Sequence, residues 1–388
     1  MSLRLRHPHM NARVLTVFAL ASLPLLAVVA IVALAAGQAQ FRQAFELQLS
    51  QVAEQTASAV DAYMYHRFVD VVMLGRTPAV REVAAEGSAR PFDPMRVHEL
   101  DYQWRNTGQV PAELKPVLEN QAAAFLRDQI AHDAIYREVL LTDKYGRLVA
   151  ASGVTSDYDQ SDEDWWLDAR DRGLTGRLAV SDVRWDDSAK LFALEMAVAV
   201  PSPSGDEAVG VLKVVADIRE MLAFIAGTRL GVTGEAALVR ADGTIVYSPR
   251  QRQPNARFFA ATLLRERLDA VDQGAPTFGL AFTARDTEDS PDQGALYVVG
   301  VAPSQLGMTY PNLSWVVAVS QAEEELFSPV RTQAISLLVV IAIATMVVLI
   351  LALWFSMRLA APPLDEEVDM HLVEHPPAPR MADEETVS

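Results

Sequence analysis

At 388 residues, with 51% hydrophobic content beside 21% charged residues, the chain is long enough for two compact domains, and part of its apolar content must be concentrated. Its formal charge of −17, with no Lys/Arg cluster to interrupt it, sets it against phosphate backbones and argues against a nucleic-acid partner. The absence of cysteine excludes disulfides, thiolate metal sites and cysteine nucleophiles.

Two uncharged runs, residues 14–36 and 334–357, hold the concentrated apolar content. Each exceeds the roughly 20 residues that cross a hydrocarbon core of about 30 Å, so both read as transmembrane helices. A cleaved signal peptide competes for the first run, since Arg4, Arg6 and Arg13 precede it and Ala33-Leu34-Ala35 resembles a cleavage site. Its apolar part is longer than the roughly 7 to 15 residues of a signal core, which favours a retained anchor. The same arginines place residues 1–13 in the cytoplasm by the positive-inside rule, leaving residues 37–333 outside and returning the tail inside.

Next, Phe41, Phe45, Leu49, Val52, Thr56, Val60, Tyr63, Arg67, Val71 and Leu74 recur at steps of three or four, with no Pro or Gly between Gln38 and Leu74. The spacing predicts a helix over 38–75 about 55 Å long, packed on a sheet, with part of the stripe open to a dimer seam. Residues 87–111, punctuated by Gly87, Pro91, Pro94, Gly108 and Pro111, predict an irregular connection; Pro111 suits the start of a second helix to about His132.

Short β-like runs follow. Residues 139–149 read as a hairpin with Gly146 at its turn, and the form recurs at 236–246 with Gly243 in the same place, which suggests two related modules in tandem. The first module continues with strands at 178–185, 191–200 and 209–218 and a helix at 219–226. In the second, a helix is expected at 258–271 and strands at 277–283, 296–301 and 314–319, with an acidic loop at 285–294. Adjacent antiparallel strands with helices set to one side indicate an α+β fold.

This order resembles the double Cache (PAS-like) sensor of bacterial chemoreceptors and sensor kinases, over about residues 37–330. The residues that carry the resemblance are Asp143-Lys-Tyr-Gly146, Asp164-Trp165-Trp166, the strand Gly210–Ile218 and Gly234-Glu-Ala-Ala-Leu-Val-Arg-Ala-Asp-Gly243. It implies a long helix with two PAS-like antiparallel-sheet modules, a membrane-distal one at about 133–226 and a proximal one at about 234–325. Two transmembrane helices in a bacterial inner membrane would flank them. It also implies a small ligand in the distal module.

Relatives that bind amino acids place a Tyr seven residues before a Trp, an Arg two before it, an aromatic after it, and later a Tyr and an Asp. Tyr158, Trp165, Trp166 and Asp217 fit, but Glu163 stands where a carboxylate-gripping Arg is expected, and Arg184 lies near the later Tyr. A Glu there repels a ligand carboxylate that an Arg would grip. Two pocket readings stay open. In one, Glu163, Asp217 and Asp182 surround an ammonium under the π faces of Trp165, Trp166 and Tyr158. In the other, Arg184 replaces the missing Arg and the ligand keeps its carboxylate. Against both stands a plain structural role, in which Glu163 and Asp164 open a helix and at least one of the two indoles, about 100° apart on it, is core.

No enzyme constellation emerges. His371-Leu-Val-Glu-His375 has zinc-protease spacing, but prolines bracket it and no domain surrounds it. His66, His98 and His132 are far apart in sequence, and Gly231-Val-Thr-Gly234 lacks the Lys of a phosphate loop. No metal or other cofactor is expected. Residues 357–368 resemble the opening of a HAMP linker, but too few residues follow for an output domain, and the acidic tail at 358–388 reads as cytoplasmic and disordered. The expectation is a membrane-anchored extracytoplasmic sensor of an amine or amino-acid-like ligand. It would act as a homodimer and signal through its second transmembrane helix to a separate partner. The alternative is a periplasmic protein-binding or assembly factor that transmits nothing.

Overall fold

The structure, a computed structural model, describes residues 12–186, 191–251, 256–276, 279–286 and 294–359. The zinc-protease-like motif, the acidic tail and most of the HAMP-like stretch lie outside the described residues, as do the start of the strand expected at 277–283 and most of the 285–294 loop. The chain divides into two compact units, Ala36–Thr332 and the apolar segments that flank it.

Helix α1 (Ala12–Gly75) carries the apolar run and the amphipathic stripe without interruption. In the apolar segments, Leu25, Val28, Ile31, Ile335, Val339 and Ile343 are each more than half exposed. The two helices that carry them are long and apolar enough to cross a membrane. Such surface is unfavourable in water and not in a hydrocarbon phase.

Within the larger unit, Leu49, Ala53, Val60, Met64, Phe68 and Val71 of α1 are buried against both sheets in one continuous core. Burying a side chain the size of Met64 or Phe68 stabilises by about 1.5–3 kcal/mol. Helix α2 (Pro78–Ala89) precedes and runs into the expected irregular connection at 87–111, and most of that connection is instead helix α3 (Pro94–Thr107). Pro94 opens α3 at its first turn, where no N–H is needed, and the Asp93 carboxylate caps it by accepting from Met95 N and Arg96 N. The expected second helix is broken into α4 (Pro116–Glu119) and α5 (Gln121–His132). Asn120 causes the break: its own backbone is extended while its side chain caps α5 by accepting from Ala123 N at 2.9 Å.

The first module comprises β1 (Tyr136–Asp143), β2 (Leu148–Ala151), α6 (Asp164–Arg172), β3 (Ala179–Val180), β4 (Arg184–Asp186), β5 (Leu191–Pro201) and β6 (Ala208–Asp217). Its antiparallel sheet runs β2-β1-β6-β5-β3, with β4 also paired to β5. After α7 (Arg219–Gly227), the second module is built from β7 (Arg229–Leu230), β8 (Gly234–Arg240), β9 (Ile245–Tyr247), α8 (Ala261–Asp272), β10 (Ala281–Arg285), β11 (Leu296–Pro303) and β12 (Trp315–Ala322). Its sheet runs β10-β11-β12-β8-β7, with β9 on β8. Helix α9 (Glu323–Leu359) follows β12 directly.

The two hairpins match in detail. Gly146 (φ 89°) and Gly243 (φ 85°) adopt the left-handed backbone, and their carbonyls accept from Gln160 N and Phe258 N, each at 2.9 Å. A Cβ at Gly146 would meet Ser161, and one at Gly243 would meet Ala261. Both turns therefore admit only glycine.

Candidate functional site

Strand alternation gives the first sheet two faces. One, with Val139, Leu141, Leu194, Met196, Leu212 and Val214, packs in the core that holds α1. The other carries Leu140 and Thr142 of β1, Val211, Lys213, Val215 and Asp217 of β6, and Ala193, Glu195 and Ala197 of β5. Helix α6 covers part of this second face, burying Trp165, Trp166 and Ala169 against Leu140, Ala197 and Val211. Lys213, Val215 and Glu195 remain only half-buried.

The two tryptophans differ. Trp166 is a satisfied core residue: its Nε1 donates to Thr142 Oγ1 at 2.9 Å and the Arg170 guanidinium lies 4.9 Å from its ring centre. Trp165 is 9% exposed, yet its buried Nε1 has no hydrogen-bond partner among the described residues. The Lys213 ammonium lies 5.1 Å from its ring centre and pairs with Glu195 at 2.8 Å. An unpaired buried N–H costs about 1–3 kcal/mol, so this donor is the unmatched polar atom of the face.

Glu163 immediately precedes α6 in extended backbone and makes no side-chain cap. Burial pushes its carboxyl above the ordinary range, with Asp157, Asp162 and Glu195 adding to the rise and Lys213 opposing it. It therefore belongs to the same electrostatic neighbourhood as Lys213 and Glu195. Asp164 opens α6 and is exposed. Tyr158 is buried beneath the loop before α6: its N–H donates to Asp101 Oδ1 at 2.9 Å, and its ring stacks on Trp104 at 6.4 Å. Burial pushes its phenol up to about 12, so it serves as a neutral hydroxyl.

The remaining three candidates are engaged differently. Asp217 ends β6, where Arg137 NH2 meets it at 2.7 Å and Arg219 NH2 at 2.6 Å. Burial acts to raise its carboxyl, but the hydrogen bonds from Arg219 and Arg137 outweigh that and hold it below the ordinary range. Its charge is already matched. Asp182 splits the expected strand 178–185 by capping Val183 N at 2.7 Å, and reaches the second module, where it accepts from Trp315 Nε1 at 3.0 Å and from the Arg240 guanidinium. Arg184, opposite Ala193 on β4, is exposed and makes no ion pair among the described residues.

Lys213 and Glu195 are candidate residues, brought beside Trp165 by the fold, that the sequence reading passes over. The visible signal was a single lysine inside the apolar run Gly210–Ile218. Among the described residues no cluster of His, Asp or Glu is arranged to hold a metal ion.

The Cache domain profile matches residues 37–330. Among solved structures, the chain is similar to the ligand-binding domain of the Pseudomonas aeruginosa PAO1 amino acid chemoreceptor PctB in complex with L-Arg, at 18% identity and a TM-score of 0.45, covering 75% of this chain and 93% of that one. It is similar to that of the Pseudomonas fluorescens chemoreceptor CtaA in complex with L-serine, at 16% identity and 0.43, covering 73% and 99%. It also resembles that of the Campylobacter jejuni chemoreceptor Tlp3 in complex with 4-methylisoleucine, at 12% identity and 0.46, covering 74% and 95%. No curated protein sequence matches the chain.

Proposed function

The chain belongs to the Cache domain family of ligand-binding sensor modules, and from that premise we propose that it is a membrane-anchored extracytoplasmic sensor of an amino-acid-like zwitterion. The observation that carries the reading is the unpaired Trp165 N–H beside the Lys213–Glu195 pair, with Glu163 in the same field. A ligand carboxylate takes the indole N–H and the Lys213 ammonium. A ligand ammonium takes Glu163 and Glu195, with the Trp165 ring supplying a cation-π face worth about 0.5–2 kcal/mol. Lys213 thus supplies the cationic grip that Glu163 cannot, while Tyr158 supports the loop from beneath and Asp164 and Arg184 form the rim. Asp217 and Asp182 are committed to other partners.

The signal route follows from Asp182. Strands β3 and β4 border the ligand face, and Asp182 between them holds Trp315, the first residue of β12, which runs into α9. Two contacts steady the start of α9: Arg42 meets Glu323 at 2.5 Å, and Glu325 accepts from Val232 N at 2.7 Å and Thr233 N at 2.9 Å. Ligand closure that moves the β3–β4 edge pulls on this latch and shifts α9, which a separate membrane or cytoplasmic partner reads in a homodimer. A coupling of about 1–3 kcal/mol suffices.

A thermal-shift panel of amino acids, amines and carboxylates on the full chain in detergent tests the reading. Stabilisation by one zwitterion class, lost in Lys213→Met, is the expected result. A flat response across the panel would favour a protein-binding role instead.

A further inference from the structure

A cavity of about 260 Å³ opens at the end of α1 opposite Ala36, where α1, α2, the turn after α6 and β5 meet. Its charged lining residues are Arg76 and Arg81, and its apolar walls include Val72, Leu174, Val198 and Pro201. No carboxylate lines it. In a chain with 50 acidic against 33 basic residues, two arginines lining one cavity without an acid run against the overall balance.

The two arginines are held differently. Arg81 Nε donates to the carbonyls of Pro201 at 3.3 Å and Ser202 at 3.1 Å, and its NH2 also reaches Ser202 O. Neutral carbonyls fix the plane of that guanidinium without cancelling its charge. Arg76, in the corner between α1 and α2, makes no ion pair among the described residues. The acid nearest in sequence to the Ser202 turn, Asp206, accepts the hydroxyls of Ser202 at 2.7 Å and Ser204 at 2.6 Å and so is occupied within its own turn.

The backbone of β5 adds a donor. Ser181 N donates to Glu195 O at 2.9 Å, so the odd-numbered residues of β5 turn their amides toward the β3 edge. Pairing with β3 ends at Ala179 opposite Ala197, which leaves Ala199, a lining residue, two positions beyond the last β3 partner on that edge.

We propose that this cavity is a second binding site, for a small organic carboxylate with a short apolar body. Arg76 and Arg81 take the carboxylate in the geometry a guanidinium fork favours, and the apolar walls take the body. The volume lies just below the roughly 300–1,000 Å³ of drug-sized pockets and suits one small ligand. An inorganic anion would satisfy the arginines but leave the walls unfilled. A neutral analogue would fill the walls but leave the charges unmatched. A bound carboxylate would tie the α1–α2 corner to β5, so occupancy stiffens the first module independently of the sheet-face site.

The test uses the full chain in detergent, titrated calorimetrically with benzoate, benzyl alcohol and inorganic phosphate. Benzoate is expected to bind at least tenfold more tightly than either comparison compound. Arg76→Ala, a change at an exposed side chain, should weaken benzoate at least tenfold, and Arg81→Lys, which keeps a donor for Ser202, should do the same. Lys213→Met should leave benzoate affinity unchanged, which separates this site from the sheet face. Equal binding of benzyl alcohol or phosphate, an Arg76→Ala affinity within twofold of wild type, or loss of benzoate binding in Lys213→Met would each overturn the proposal.

Discussion

Replacing Trp165 by Phe should separate ligand affinity from stability. The substitution removes a buried N–H that has no partner among the described residues, relieving about 1–3 kcal/mol. It also removes part of a buried ring, at about 0.8 kcal/mol per methylene-sized group lost. The two effects oppose each other and nearly cancel, so the melting midpoint of the Ala36–Thr332 unit should move by no more than about 3 °C. Ligand binding has no such compensation. A hydrogen bond to a carboxylate contributes about 1.5–3 kcal/mol, and at 1.4 kcal/mol per decade its loss weakens affinity by roughly 10- to 150-fold. Trp166→Phe is the internal control, because its N–H is already bonded to Thr142. That variant should melt lower while retaining wild-type affinity. Calorimetric titration and thermal melts of the three proteins decide the matter. A Trp165→Phe protein that binds normally and melts as low as Trp166→Phe would show that the Trp165 N–H meets no ligand atom.

Three further outcomes are expected. Because burial raises the Glu163 carboxyl, its protonated form is the better folded one, and the stability it contributes is present below about its ordinary 4.5 and lost as pH rises through the folded value. Glu163→Gln should therefore melt above wild type at pH 7, level with it in acid, and bind an ammonium-bearing ligand several-fold more weakly; equal melts at both pH values would contradict this. Arg147, 9% exposed, bonds Asp143 at 2.6 Å and also donates to the carbonyls of Pro91, Gly87 and Arg90. Arg147→Met should cost about 3–5 kcal/mol in urea denaturation, and a loss under 1 kcal/mol would show that the buried pair is not the anchor of the α2–α3 crossover. Gly146→Ala should cost more than about 1 kcal/mol through its positive φ and the approach of Ser161, and a neutral melt would mean that the turn relaxes.

The fold was legible because its largest signals are periodic. The stripe from Phe41 to Leu74 and the twin turns at Gly146 and Gly243 follow from backbone geometry that a sequence displays directly. Where the reading failed, side chains competed with the backbone: Asp93 turns a proline-rich stretch into a helix start, Asn120 breaks one expected helix into two, and Asp182 interrupts a strand to reach another module. The site was half legible. The stretch from Tyr158 to Trp166 packs over the outer face of the first sheet, but the roles of its members depend on partners distant in the chain. Trp166 is satisfied by Thr142 and Trp165 faces Lys213 from β6. Asp217 looked available because Arg137, 80 positions earlier, does not announce itself as its partner.

On the proposed reading, the face beside Trp165, Lys213 and Glu163 binds a ligand carrying both charges. The direct test is calorimetric titration of the Ala36–Thr332 unit carrying Arg76→Ala, which removes the cavity beside α2 as a carboxylate site, with an L-amino acid, its decarboxylated amine and its deaminated acid. Only the zwitterion is expected to bind well, each fragment losing at least tenfold, with all three responses abolished when Lys213→Met and Glu163→Gln are added. An amine or an acid alone that binds as tightly as the amino acid, or a zwitterion whose affinity survives the double substitution, would contradict it.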